Sequence, residues 1–248
     1  MGFLVLFMLI IINLLLRTRL PPRTSGPLVE WSAFTEPAFL LFTFGVFLLY
    51  WALYFAFFYV RLQPQSYCYS DSCLPFLQIQ VYASQKLGFD NISGVNLIII
   101  INAAGMPARA PCGYLADRYL GPLNVLIPWV ALCGIVVFCW AAVEDAADLY
   151  VFAVIYGVAS AAAMGLFAGT VPSLTKDISK IGTRMGMVLT LISLGPLTGP
   201  SVAGALVAKT GGNYLAAQIW AGTSLLLAAV LLVAARLYTT GWHLKVKV

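Results

Sequence analysis

An arginine set in an apolar stretch is the first chemistry that this sequence offers. Arg109 falls in segment 92–111, where Asn102, Gly105, Arg109 and Gly113 share one face at helical three- and four-residue spacing. An ionised side chain within hydrocarbon is costly and usually faces a wet cavity or an anion. Arg109 stands eight residues before Asp117, about 12 Å along a helix axis, so snorkelling back to the headgroups is the competing reading. Tyr54 lies four residues before Phe58 in segment 38–60, and the pair is a candidate for lining a cavity. The stretch GYLADRYLG puts Gly113, Asp117, Arg118 and Gly121 in a charged turn between two apolar segments. These residue types bind and gate; they do not break bonds. There is no nucleophile–base set and no Cys/His spacing suited to a metal, and the single histidine, His243, lies in the tail. The expectation is no catalytic residue, no metal and no cofactor.

The elements that position these residues follow from composition. The chain of 248 residues is 61% hydrophobic and 9% charged, with a mean hydropathy of +0.92. A soluble domain carries about 25% charged residues, so the solvent for this chain is lipid. The expected fold is an all-α integral membrane protein. Seven apolar segments are read at 2–16, 38–60, 92–111, 125–143, 149–171, 185–208 and 215–235. The first covers only about 22 Å as a helix, short of the ~30 Å hydrocarbon core, and reads as the end of a helix. It lacks the charged flank and cleavage site of a signal peptide. Pro107 and Pro111 predict a kink in 92–111. Pro196 and Pro200 predict a break in 185–208, which would bare backbone carbonyls to a pathway; a kinked packing helix is the plainer alternative. Gly165 with Gly169 and Gly195 with Gly199 have the spacing that lets helices approach closely.

Charge sets the orientation. Eleven Lys/Arg fall on the side of loop 17–36, the 109–121 hinge, loop 172–184 and the tail, against three on the other side. The positive-inside rule makes the richer side cytoplasmic, tail included. The net charge of +5 is thereby explained without a nucleic-acid partner. Every acidic residue falls in an expected loop. The aromatic run from Tyr50 to Tyr59 reads mostly as lipid-facing or belt residues. After Pro27, the spacing of Leu28, Trp31 and Phe34 suggests a short amphipathic helix on the inner membrane surface; a disordered linker with one anchoring Trp is the alternative. Cys68 and Cys73 lie in a polar outer loop where a disulfide is permitted, and Cys112, Cys133 and Cys139 read as packing residues.

The motifs carry a resemblance. GYLADRYLG is similar to the major facilitator loop motif G-x-x-x-D-R/K-x-G, with one extra residue before Gly121. INAAGMPARAPCGYLADRYLGPLNVLIP, GTRMGM, LGPLTGPSVAGAL and YLAAQIWAG resemble fungal monocarboxylate-transporter-like permeases from about Pro21 onward. The resemblance implies the second six-helix half of a facilitator fold plus the end of helix 6. Segment 1–16 is then a truncated transmembrane helix, 17–36 a cytoplasmic linker, 37–236 the six-helix half and 237–248 a cytoplasmic tail. Block 61–80 interrupts the resemblance and reads as an insertion, in the form of a retained, frame-preserving intron. Gly105 departs from the animal transporters, which place an Asp there.

The resemblance further implies a transporter of a small monocarboxylate or similar organic anion, working by alternating access. Arg109 would hold the carboxylate, with Asn102 and Tyr54 beside it. Asp117 and Arg118 would clamp the cytoplasmic ends of helices 8 and 9. A complementary N-terminal half would be needed to complete the site. The expected setting is a multi-pass protein of the plasma membrane rather than an internal one. Two rival readings remain: a non-transporting membrane fragment, and a seven-helix receptor suggested by DRY at 117–119 after the third segment.

Overall fold

A backbone that crosses hydrocarbon must satisfy its own N–H and C=O groups, so each apolar segment should close into a helix. The computed structural model follows this rule. It describes residues 2–15, 29–59, 91–143, 146–175, 177–211 and 213–241. The helices are α1 (Gly2–Leu15), α2 (Pro37–Tyr59), α3 (Asn91–Leu115), α4 (Pro122–Trp140), α5 (Ala146–Leu174), α6 (Ile181–Lys209) and α7 (Leu215–Thr240), with a 3-10 helix at Trp31–Thr35 before α2. By length and composition, α2, α4, α5, α6 and α7 can cross a membrane. The 25 residues of α3 are long enough as well, but Asn102, Arg109 and its two prolines make it more polar. Each of α5, α6 and α7 runs several residues beyond its apolar segment, so loop 172–184 is mostly helical. Asp148, read as a loop residue, sits in the first turn of α5, where its charge complements the helix dipole. Segment α1 spans about 21 Å and is exposed along nearly its whole length. The insertion reading of 61–80, Cys68 and Cys73, Phe58 and the tail lie outside the described residues or side chains.

The helices pack as an open arc in the order α3, α5, α4, α7, α2, α6. Glycine sets most of the close approaches. A Cβ at Gly157 of α5 would lie 2.4 Å from the Ile101 carbonyl oxygen, and one at Gly105 of α3 would lie 2.6 Å from Ala161 Cβ. Gly105, where the animal transporters place an Asp, is therefore a packing position here. Gly195 and Gly199 of α6 press on the backbone of Trp51 in α2, with a Cβ at Gly199 2.1 Å from the Trp51 carbonyl oxygen. The expected close approach at Gly195 and Gly199 is thus found. Gly165 and Gly169 have no such neighbour within 3.8 Å.

The helices run continuously through Pro107 and Pro111 and through Pro196 and Pro200, as a kinked packing helix also does. Each proline removes one hydrogen bond, but the surrounding ladder persists, and in α6 the Gly195–Gly199 contact with α2 clamps that stretch. The aromatic run of α2 faces largely inward. Tyr50 and Phe55 are buried, and Trp51, Tyr54 and Phe57 are partly buried against the core. Phe55 meets Trp140 at 5.3 Å, Trp140 stacks on Phe152 at 5.1 Å, and Phe152 stacks on Tyr156 at 5.4 Å. The driving force is ring–ring packing between α2, α4 and α5. Cys112 and Cys133 are buried as expected, whereas Cys139 is exposed.

Buried hydroxyls are served locally. Thr43, Thr170 and Thr175 each donate to the carbonyl four residues back. Tyr156 instead reaches across to α2 and donates to the Leu53 carbonyl at 2.6 Å. Tyr156→Phe should therefore destabilise the bundle by about 1 kcal/mol, near the mean for one such bond. A thermal unfolding midpoint in detergent that does not move would remove the α2–α5 bond from the account.

Candidate functional site

The open edge of the arc is where polar groups gather. Arg109 is exposed on α3, and among the described residues no carboxylate pairs with it. Its stem lies beside α5, with Cγ 3.8 Å from where a side chain at Gly165 would begin. A Cβ at Gly165 would make ordinary van der Waals contact with the arginine stem, and only a longer side chain would crowd it. Arg109 and Tyr54 both stand close enough to the Tyr50 hydroxyl to act on it electrostatically. Tyr50 in turn meets Phe167 of α5 edge-on at 5.3 Å and Tyr54 at 6.3 Å. A guanidinium is thus set beside an aromatic wall built from α2 and α5. An arginine in this setting can fix a carboxylate with paired N–H donors while the rings cover an apolar body.

Asn102 shares the Arg109 face seven residues earlier, about 10 Å along the helix. It is exposed, and its amide donates to the Ile98 carbonyl at 2.9 Å, leaving its oxygen outward. Asn102 therefore stands two turns away from Arg109 on the same helix. Sequence reasoning missed Tyr50, Phe167 and Gly165. Tyr50 carries a legible signal, since it stands four residues from Tyr54; the pairing of Tyr54 with Phe58 lies outside the described side chains.

The GYLADRYLG stretch is not a loop. Helix α3 widens into a π turn at Ala116–Leu120 and stops at Gly121, whose φ of 86° suits glycine alone among common residues. The Gly121 N–H donates to Ala116 at 2.8 Å, and Pro122 opens α4. Asp117 is exposed and makes no hydrogen bond or ion pair among the described residues. Arg118 lies over the Tyr114 ring at 5.9 Å, within its own helix. The π turn at Ala116–Leu120 places Asp117 and Arg118 at the junction of α3 and α4. Gly113 has open space beside it. At the same end of the bundle, Arg236 Nε of α7 donates to the side-chain amide oxygen Oδ1 of Asn124 in α4.

A second polar cluster was not anticipated. Arg184, buried in the first turns of α6, donates to Glu36 through two nitrogens at 2.6 and 2.9 Å and to Glu30 through Nε at 3.0 Å. Lys180 adds a 2.8 Å bond to Glu30. The guanidinium also lies over the Phe39 ring at 5.4 Å. A cavity of about 460 Å³ opens here, lined in part by Phe39, Leu174 and Tyr238. The signal was present as two acids in linker 17–36 and two bases at the head of α6, all on the side richer in Lys and Arg.

The bonds from Arg184 and Lys180 hold the Glu30 carboxyl down at about 2, against an ordinary 4.5, and they hold the Arg184 guanidinium further above its usual range. A depressed acid stabilises the fold above its unfolded pKa and loses that contribution as pH falls through its folded one. Thermal stability in detergent is therefore expected to fall between about pH 4.5 and 2. Glu30→Gln should remove that part of the pH dependence, and an unchanged acid limb would assign it to other groups. No group of three or more His, Cys, Asp or Glu able to hold a metal is found among the described residues.

Comparison with known proteins places this arrangement. Residues 66–242 match the Major Facilitator Superfamily. An MFS-type transporter of Gibberella zeae is 33% identical over 95% of this chain and 49% of its own length. MFS-type transporter 1 of Ophiocordyceps sp. is 33% identical over 100% of the chain and 51% of its length. An aspyridones efflux protein of Emericella nidulans is 28% identical over 95% of the chain and 44% of its length. The chain thus spans about half the length of the curated relatives that it matches. With the spanning helices α4 to α7, Arg109 and the glycine-stopped turn at Gly121 all falling within the matched region, the chain belongs to the Major Facilitator Superfamily.

Proposed function

We propose that this chain is the second six-helix half of a facilitator that moves a small monocarboxylate or similar organic anion by alternating access. The observation that carries the reading is Arg109: an exposed guanidinium on a helix long enough to span, without a carboxylate partner among the described residues, near enough to Tyr50 to act on it electrostatically. A bare cation at that position is stabilised by an anion that arrives and leaves. Asn102 supplies a polar group further along the same face. The faces of α3 and α6 at the two ends of the arc, including Met106, Leu194 and Leu197, would meet the complementary half, and Asp117 and Arg118 would gate against it. The described acids Glu30, Glu36, Asp117 and Asp177 lie outside the spanning helices, and Asp148 is in a first turn. Proton coupling, if used, would reside in the complementary half. A cytoplasmic tail follows from the Lys and Arg distribution, and the plasma membrane is the proposed setting.

The name of the aspyridones efflux protein supports a second reading, export in place of uptake. Proteoliposomes separate the possibilities. The chain is reconstituted alone and together with the N-terminal half of a relative, and a labelled carboxylate is followed in both directions. Flux that needs both halves supports the proposal, and its direction chooses between uptake and export. No flux from the assembled pair for any carboxylate tried would favour a non-transporting fragment.

A further inference from the structure

We propose that residues 29–36 form a membrane-surface anchor, pinned from inside by Arg184 and Lys180 and seated on the adjoining lipid leaflet through Trp31 and Phe34. A 3-10 helix has three residues per turn, so side chains three apart share a face. Successive i to i+3 bonds link Glu30, Ala33 and Glu36: Ala33 N–H donates to Glu30 at 3.1 Å, and Glu36 N–H donates to Ala33 at 3.2 Å. This face packs inward at Glu30 and Ala33, with Ala33 0% exposed and Glu36 at its exposed edge, and both carboxylates are held by Arg184. The next face carries Trp31 and Phe34, with ring centroids 6.0 Å apart, and Trp31 is 77% exposed. Two large rings turned outward by a fastened three-residue repeat make a built surface.

Depth identifies what covers it. The span Pro37–Phe57 has 21 residues, about 31 Å, which uses the whole hydrocarbon core. The residues just before Pro37 therefore stand at headgroup level. Arg184 keeps them there. It lies in the first turn of α6, a 29-residue helix of about 43 Å that overreaches the core at its ends. Glu30, 3.0 Å from Arg184, cannot swing out into water. Trp and Phe at this level partition into the headgroup–acyl boundary. The anchor rests on α2 and α6 as membrane spans and not on Arg109, so the two proposals fail separately.

The test uses the full chain in phosphatidylcholine vesicles carrying lipids brominated at shallow or deep acyl positions. Emission from Trp31 is taken as the difference between the chain and Trp31→Phe, an exposed substitution that disturbs no core packing. The expected result is several-fold stronger quenching by shallow than by deep bromines, with little quenching by acrylamide. Acrylamide quenching without bromine quenching would put the face in water. Protection from both would put protein over it, the complementary half or a second copy. Either outcome overturns the anchor. Arg184→Gln should move the Trp31 emission to the red and shift its quenching from bromine to acrylamide. An unchanged Trp31 signal in that variant would overturn the pinning by Arg184.

Discussion

Arg109→Ala, in a transporter completed by its other half, is expected to lower carboxylate transport by roughly 10- to 150-fold at unchanged surface expression. The size follows from the loss of charge-assisted hydrogen bonds to the substrate, about 1.5–3 kcal/mol, with each 1.4 kcal/mol worth a factor of ten. Arg109 is exposed on α3, so its removal leaves the helix packing through Gly105 and Gly157 intact, and the loss should appear in transport and not in folding. Arg109→Lys keeps the charge but not the planar fork, and should recover only part of the flux. A larger residue at Gly165 should mimic the defect, because the arginine stem lies 3.8 Å from that position. Normal flux in Arg109→Ala would take this residue out of the site.

Gly199→Val is expected to disrupt the bundle itself. A Cβ at this position would sit 2.1 Å from the Trp51 carbonyl oxygen and 3.1 Å from its carbon, both backbone atoms of α2. Backbone cannot rotate away, so α2 and α6 would have to separate. Overpacking commonly costs about 1–3 kcal/mol, and this contact belongs at or above the upper end. Gly222→Ala is the informative comparison. There the clash is with the ring of Phe138 at 2.7 Å, a side chain that can turn. The expected order is loss of folded protein for Gly199→Val and a modest drop in thermal midpoint for Gly222→Ala, read by size-exclusion and thermal unfolding in detergent. Equal effects would mean that the α2–α6 approach is looser than drawn.

Arg184 tests the other end of the bundle. Breaking a buried ion pair costs about 3–5 kcal/mol, but here Glu36 is partly exposed and Lys180 would still serve Glu30. The expected cost of Arg184→Ala is therefore nearer to about 2–3 kcal/mol.

What could be read from the chain in advance was whatever depends on local composition. Seven helices were legible because unbroken apolar runs in lipid have one way to satisfy their backbone, and the observed ends fall within a few residues of those runs. The turn at Gly121 was legible because glycine before proline at a charged hinge stops a helix. Arg109 was legible because an ionised residue in such a run needs a reason. The tertiary structure decided everything that depends on which helix faces which. Gly165 and Gly195 look alike in sequence, yet one borders the Arg109 stem at ordinary contact distance and the other presses on the α2 backbone. The aromatic residues of α2 could face lipid or protein with equal local preference, because rings are apolar in either setting; only their neighbours Trp140, Phe152 and Phe167 turn them inward. Glu30, Glu36, Lys180 and Arg184 stand about 150 residues apart in the chain, and no periodicity connects them; a folded bundle brings them together because opposite charges at one membrane surface pair when α2 and α6 lie side by side.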